Sequence, residues 1–291
     1  MNAAWAFRQS AAASGARRAA FSEFEQTVSV WDLDPPRHVA TFPTILDFGG
    51  ARLALSHDGA TVVCAAYHRE GVAAYSAETG ELLWQRRDIK RPQRISASTR
   101  GQVAYVATDD GLCAVVSLDT REVTHTLRGV RWIVESPFSR LFFVDQSRPA
   151  VTDAKFKTLV AVQRTTFAFL DVAFGPKSFA VAESGGPVTC IDLDSGRKQW
   201  THSPVGGVHC LALTYSEPLA AFAGVLWPFE NGGPKELVTF DQRGSPTVLK
   251  NLGDSSWDEC FCQRGSTLLT SDGSVVSLPS GLVTRLPRPP A

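Results

Sequence analysis

Cys260 and Cys262 are the residues of this chain whose type and spacing come nearest to metal chemistry. Two residues apart, they share one face of a strand, and His209-Cys210 supplies a further imidazole and thiol. Thiolate and imidazole are the ligands zinc takes in tetrahedral sites. Cys-x-Cys lacks the paired spacing of structural zinc motifs, however, and these two cysteines stand where comparable segments carry Leu, Val, Ile or Phe. The expectation is no metal and no cofactor. Cys64, Cys113 and Cys190 fall inside apolar runs, where a free cysteine acts as a small hydrophobe. Histidines 38, 57, 68, 125, 202 and 209 are scattered, and His57 stands in a Ser-His-Asp-Gly turn suited to local hydrogen bonding. Nucleophile-elbow, His-Glu-x-x-His and P-loop patterns are absent. Asp-Phe-Gly-Gly at 47–50 lacks a following helix that could cradle phosphate, and Asp32, Asp192 and Asp241 recur at one position of a repeat, which marks them as structural. No catalytic set emerges, and the chain is expected not to be an enzyme.

The totals narrow the classes further. The chain has 291 residues, 44% hydrophobic and 20% charged, with 29 Lys plus Arg against 29 Asp plus Glu. It can bury a core without disulfides. A neutral balance argues against a general grip on nucleic acid, which needs clustered positive charge. The first residues lack the apolar core of a secretory signal, and no window is apolar enough to span a bilayer. The expectation is a cytoplasmic protein with reduced thiols, no membrane association and no nucleic-acid partner. The Ala-, Ser- and Arg-rich start, with no acidic residue before Glu23, also fits an organelle transit peptide.

Such residues need elements to position them, and the elements repeat. One hairpin pattern recurs at 30–42, 75–85, 116–127, 191–200, 240–249 and 276–286, with a weaker copy at 151–162. Gly, Pro or Asp stands where the chain reverses, and alternating apolar residues flank the turn. Upstream of each hairpin lies a second column: Trp5-Ala6-Phe7, Leu53-Ala54-Leu55, Ile95-Ser96-Ala97, Ile133-Val134-Glu135, Val172-Ala173-Phe174, Leu211-Ala212-Leu213 and Cys260-Phe261-Cys262. A turn follows and then a very apolar strand, such as 60–67 or 178–183. The column spacings of 48, 42, 38, 39, 39 and 49 residues indicate four short strands per unit, seven times over. No unit could bury both faces of its sheet alone; radial packing about an axis does so and leaves only short edges. The sequence therefore predicts an all-β fold, a seven-bladed β-propeller of four-stranded antiparallel blades, as a single domain over 1–291. The blades are expected at roughly 1–44, 45–88, 89–129, 130–165, 166–204, 205–253 and 254–291, each complete within itself.

The units resemble WD40-family blades: Trp31-Asp32 closes "VSVWDLD" at 28–34, and "LALSHDGATVV" is similar to that family's turn between its first two strands. "AAYSAETGELLW" and "TCIDLDSGRKQW" resemble the tryptophan-docking repeat of quinoprotein-like (PQQ-like) propellers, which implies that Trp84 and Trp200 pack between blades. The WD40 Gly-His dipeptide is missing, and most blades lack the docking tryptophan.

In propellers of this kind, the loops joining second to third strands and those joining successive blades share one face. There the stretch 224–236 is lengthened and carries Trp227 and Phe229, while 252–259 brings Trp257. Aromatic residues on loops suit recognition; the alternative is that Trp227 and Trp257 pack inward. "QRRDIKRPQR" (85–94) concentrates Arg86, Arg87, Lys90, Arg91 and Arg94 around another connection on that face, where they would steer an acidic partner. The leading expectation is a non-enzymatic protein-interaction module: a scaffold, or a cytoplasmic inhibitor of the immunity type. Trp227, Phe229 and Trp257 would anchor the partner, and Arg87, Lys90, Arg91 and Arg94 would complement its charge. The alternative is a ligand- or metal-binding, or enzymatic, propeller with its site in the axial channel, drawing on Glu135, His209, Cys260 and Cys262.

Overall fold

The computed structural model describes residues 9–15, 17–22, 26–46, 52–67, 71–163, 169–203, 208–228, 235–253, 260–263, 267–270, 274–278 and 280–286. Their strands form seven four-stranded antiparallel sheets, each built from four strands consecutive in the chain. The sheets are numbered 1 to 7 in chain order. Their first, inner strands are Gln9–Ala12, Leu53–Leu55, Pro92–Ala97, Val130–Glu135, Phe169–Phe174, Val208–Ser216 and Cys260–Gln263. The inner strand of sheet 1 lies against those of both sheet 2 and sheet 7, so the ring closes. Among the described residues every sheet is drawn from its own stretch of chain, with no strand exchanged between sheets.

The apolar core sits in the seams between neighbouring sheets rather than in one centre. Val28, Val30 and Phe42 of sheet 1 pack with Leu55, Val62 and Tyr75 of sheet 2. Phe143 and Val160 of sheet 4 pack with Phe169 and Phe179 of sheet 5. The last seam joins Phe21 and Trp31 of sheet 1 to Val275 and Leu286 of sheet 7. Second and third strands are nearly continuous apolar runs, such as Thr61–Ala66 and Gly71–Ser76, because both of their faces meet a neighbouring sheet. Outer strands alternate exposed and buried residues, as in Lys198–His202, where Trp200 alone is fully covered.

The recurring hairpin joins the third strand to the outer strand, and its turn has a fixed requirement. In sheets 2 to 7 one residue of this turn holds a left-handed backbone: Gly80, Arg121, Phe156, Gly196, Gly244 and Gly281, with φ between 58° and 79°; sheet 1 turns through Asp34-Pro35 instead. Glycine is favoured there because a β-carbon crowds the following carbonyl. At Gly244 a second reason applies. A β-carbon would lie 2.6 Å from the Trp200 ring, which reaches over from sheet 5 and stacks on Phe240 with ring centres 5.3 Å apart. Phe42 of sheet 1 covers Gly80 of sheet 2 in the same way. Trp84 is buried against Ala104, Val116 and Leu118 of sheet 3. The outer strand of one sheet thus seats a large side chain on the turn of the next.

Asp192 and Asp241 close their turns by accepting backbone N–H bonds, from Ser195 and from Arg243 and Ser245. Asp32 does different work: it accepts from Arg18 at 2.8 Å and Arg37 at 2.6 Å. Burial pushes the Asp32 carboxyl up, but the bonds from these two guanidinium groups outweigh that and hold it below the ordinary range. His57 receives or gives a hydrogen bond at Ser14 Oγ, 2.8 Å away, and ties the first two sheets together.

One element departs from expectation. The described inner strand of sheet 1 is Gln9–Ala12, pairing with Arg18–Ser22; Trp5-Ala6-Phe7 lies outside the described residues. Ser10, Ala11 and Ala12 give this strand little of the bulky apolar pattern that marks Leu53–Leu55.

Candidate functional site

The inner strands enclose an axial cavity of about 380 Å³. Inner strands start at one face of the ring and end at the other, so each residue's place in its strand gives its depth. Arg94 and Asp171 lie in the first half of their strands, while Phe138, Phe174 and Tyr215 lie at or beyond the ends of theirs. Trp132 lies at the level of Arg94 and Asp171, whereas Glu135 closes its strand at the level of the Phe138, Phe174 and Tyr215 rings.

At the first of these levels Arg94 spans three sheets. It leaves sheet 3, lays its guanidinium 4.5 Å from the centre of the Trp132 ring of sheet 4, and donates from Nη2 to the Phe169 carbonyl of sheet 5 at 2.9 Å. Asp171 stands on the sheet 5 strand. Its Oδ1 accepts from Val172 N at 2.8 Å, and its Oδ2 accepts from Leu213 N of sheet 6 at 2.7 Å. Burial raises the Asp171 carboxyl to about 6, although those two N–H bonds and the nearby Arg94 charge pull it down.

At the end of its strand Glu135 is buried, and its Oε2 accepts from Ser98 Oγ at 2.5 Å, Thr99 N at 3.0 Å and Tyr105 Oη at 3.4 Å. This carboxylate ties sheet 4 to sheet 3. At that level Phe138 meets Tyr215 edge to face at 5.7 Å, crossing sheet 5, and Gly175 lets the Tyr215 ring approach.

The basic loop at 85–94 is organised by its neighbours. Arg86 pairs with Asp88 at 2.5 Å and donates to the Arg121 carbonyl of sheet 3. Ile89 is only 7% exposed and packs into the seam between sheets 2 and 3. Arg91 has a left-handed φ of 48° and reaches Asp109 Oδ2 at 3.1 Å, an oxygen that Tyr67 Oη also contacts at 3.0 Å. Arg87 and Lys90 project into solvent on either side of Ile89.

The residues expected to bind a partner are thus divided. Arg87, Lys90 and Arg91 remain on the loop-bearing face, while Arg94 points into the axial cavity. Trp227 sits near the end of strand Ala221–Pro228, half-buried, with Lys235 Nζ 5.8 Å from its ring centre. Phe229 and Trp257 lie outside the described residues, as do the side chains of His209, Cys210, Cys260 and Cys262. Glu135 does line the cavity. Among the described residues no group of three or more His, Cys, Asp or Glu converges as metal ligands. Cys64, Cys113 and Cys190 are buried free thiols. Burial pushes all three up, Cys190 to about 11 and Cys113 to about 12, and so away from nucleophilic or metal-binding thiolate chemistry.

Sequence reasoning passed over Trp132, Asp171, Phe138 and Tyr215. A signal existed for one of them: Asp171 interrupts the apolar run Phe169–Phe174, where a charged residue is costly unless it is bonded.

No protein-family model matches the chain, and no curated protein is significantly similar to it in sequence. Among solved structures, the β-propeller domain of Myceliophteria thermophila Cps50 (Swd1) superimposes with a TM-score of 0.65. The match is 12% identical and covers 96% of this chain and 95% of that one. At that identity the likeness concerns the fold alone: a β-propeller of four-stranded antiparallel blades.

Proposed function

We propose that the protein is a non-enzymatic interaction module whose loop-bearing face docks an acidic surface of a protein partner, with each of the seven sheets serving as one blade of a rigid frame. The observation that carries this reading is the construction of the segment Arg86–Arg91. Ile89 is driven into the core, Arg86 and Arg91 are held by Asp88 and Asp109, and Arg87 and Lys90 are displayed outward from that fixed base. A loop whose backbone is pinned in this way loses little backbone entropy on binding. Opposed charge also raises the association rate more than it lengthens the complex's life. Trp227, at the base of the lengthened connection 229–234, supplies an aromatic surface on the same face. A scaffold subunit and a cytoplasmic inhibitor of the immunity type both fit this design.

The test compares the wild type with the double variant Arg87→Glu, Lys90→Glu in quantitative affinity capture from the native host. The captured protein is then purified and its binding measured directly. The reading expects an unchanged melting curve and an association rate that falls about tenfold or more at low salt, converging with wild type as salt rises. Equal association by both proteins at every ionic strength would overturn it.

A further inference from the structure

The axial cavity has a chemistry of its own, independent of the loop-bearing face. Its described lining includes one basic residue, Arg94, and two acidic ones, Glu135 and Asp171, so its formal charge is net negative. The two carboxylates differ. Glu135 Oε2 already accepts three bonds from Ser98, Thr99 and Tyr105. Asp171 accepts one backbone N–H on each oxygen, leaving each with a further lone pair. The rest of the wall is small or apolar, as at Ala54, Ala97 and Val134, and ends in the rings of Phe138, Phe174 and Tyr215. At about 380 Å³ the space falls within the range that accepts small molecules. The molecule itself shows what such a wall favours: the guanidinium of Arg94 already lies on the Trp132 ring within it.

We infer that the axial cavity is a binding site for a small organic cation, an ammonium group on an apolar or aromatic body, with Asp171 as the counter-ion. The ammonium donates to the Asp171 carboxylate beside the Arg94–Trp132 stack, and the apolar body extends toward Phe138, Phe174 and Tyr215. An anion of the same shape is rejected, because it would bring a second negative charge against Asp171. Ammonium binding and protonation of Asp171 exclude each other, so affinity weakens as the medium becomes acidic through the range where this buried carboxyl titrates, about 6.

Tryptamine and indole-3-propionate serve as probes, since they share a ring and differ in the sign of their charge. Calorimetry on the full chain at pH 7.5 is expected to show submillimolar binding of tryptamine and none of indole-3-propionate. Asp171→Asn is expected to weaken tryptamine binding tenfold or more, and lowering the pH to 5 should weaken it about as much. Ala97→Leu, which takes up cavity volume from sheet 3 and leaves the Asp171 carboxylate in place, is expected to abolish binding; it and the pH series decide the matter even where Asp171→Asn does not fold. Binding of indole-3-propionate as tight as that of tryptamine, no binding of either probe, or tryptamine binding unchanged by Ala97→Leu and by pH would each overturn the inference.

Discussion

The Arg94 guanidinium rests 4.5 Å from the centre of the Trp132 ring and reaches past it to the Phe169 carbonyl, 75 residues along the chain. One side chain therefore joins three consecutive sheets at the axis. A charge-assisted hydrogen bond and a partly desolvated cation–π contact each contribute about 1–2 kcal/mol.

Arg94→Met keeps the apolar stem and removes both interactions. It is expected to lower unfolding stability by about 1–3 kcal/mol in urea titration. It should also raise the titration midpoint of Asp171, because the Arg94 charge pulls that carboxyl down. An unchanged Asp171 midpoint, followed by carboxyl NMR, would show that the two groups do not sense each other.

Asp171 makes a pH prediction with a definite sign. Burial raises its folded value to about 6 from an ordinary 3.8. The folded state therefore binds the proton more tightly than the unfolded chain. The stability linked to this group is fully present below pH 3.8 and is lost as pH rises through 6. Carboxylates held low, such as Asp32 and Asp58, act in the opposite direction, so the comparison must cancel them. The stability of wild type relative to Asp171→Asn should fall on going from pH 4 to pH 7, by on the order of 2–3 kcal/mol. Parallel stability curves for the two proteins would contradict the assignment.

Trp200 and Gly244 form the clearest joint between sheets. Trp200→Ala leaves Phe240 and the Gly244 turn uncovered and is expected to cost about 3–5 kcal/mol. Gly244→Ala meets both a left-handed φ of 79° and the indole ring, so it should destabilise by more than the roughly 1 kcal/mol of backbone strain alone. Thermal unfolding of both variants and of the double variant checks this. In the double variant the steric part of the Gly244→Ala cost should vanish, because the ring it struck is gone.

Arg121 and Phe156 hold the same left-handed conformation without being glycine. Arg121→Gly is expected to raise stability by about 0.5 kcal/mol, the relief of strain less the added freedom of the unfolded chain. Phe156→Gly should instead destabilise, because the Phe156 ring packs on Phe142 at 5.4 Å. Denaturant midpoints for the pair, measured side by side, separate strain from packing.

Much of the fold could be read in advance because its causes are local. Leu53–Leu55 and Val172–Phe174 follow from alternation of apolar residues, and the hairpin at 191–200 follows from Asp192 and Gly196 at its turn. Trp84 and Trp200 were legible as inter-sheet residues through the resemblance of their segments to the tryptophan-docking repeat, and both are buried in seams. The inner strand Gln9–Ala12 was less legible because its small and polar residues leave a weak periodic signal. The site was less legible. Arg94 stands in a run of basic residues on a surface loop, and nothing in that run distinguishes the one residue that turns inward from Arg87 and Lys90, which do not.

The sequence by itself determined the strands, their order within each sheet and the turn chemistry between them, since period-two patterning and left-handed turn residues act over a few neighbours. Only the tertiary structure decided that Arg94 lies on Trp132, that Phe138 meets Tyr215 across an intervening sheet, and that Asp171 faces a cavity. Those relationships arise when the ring closes and the inner strands are set at fixed distances from the axis. At that point side-chain length and depth along the strand, rather than local pattern, choose the partners.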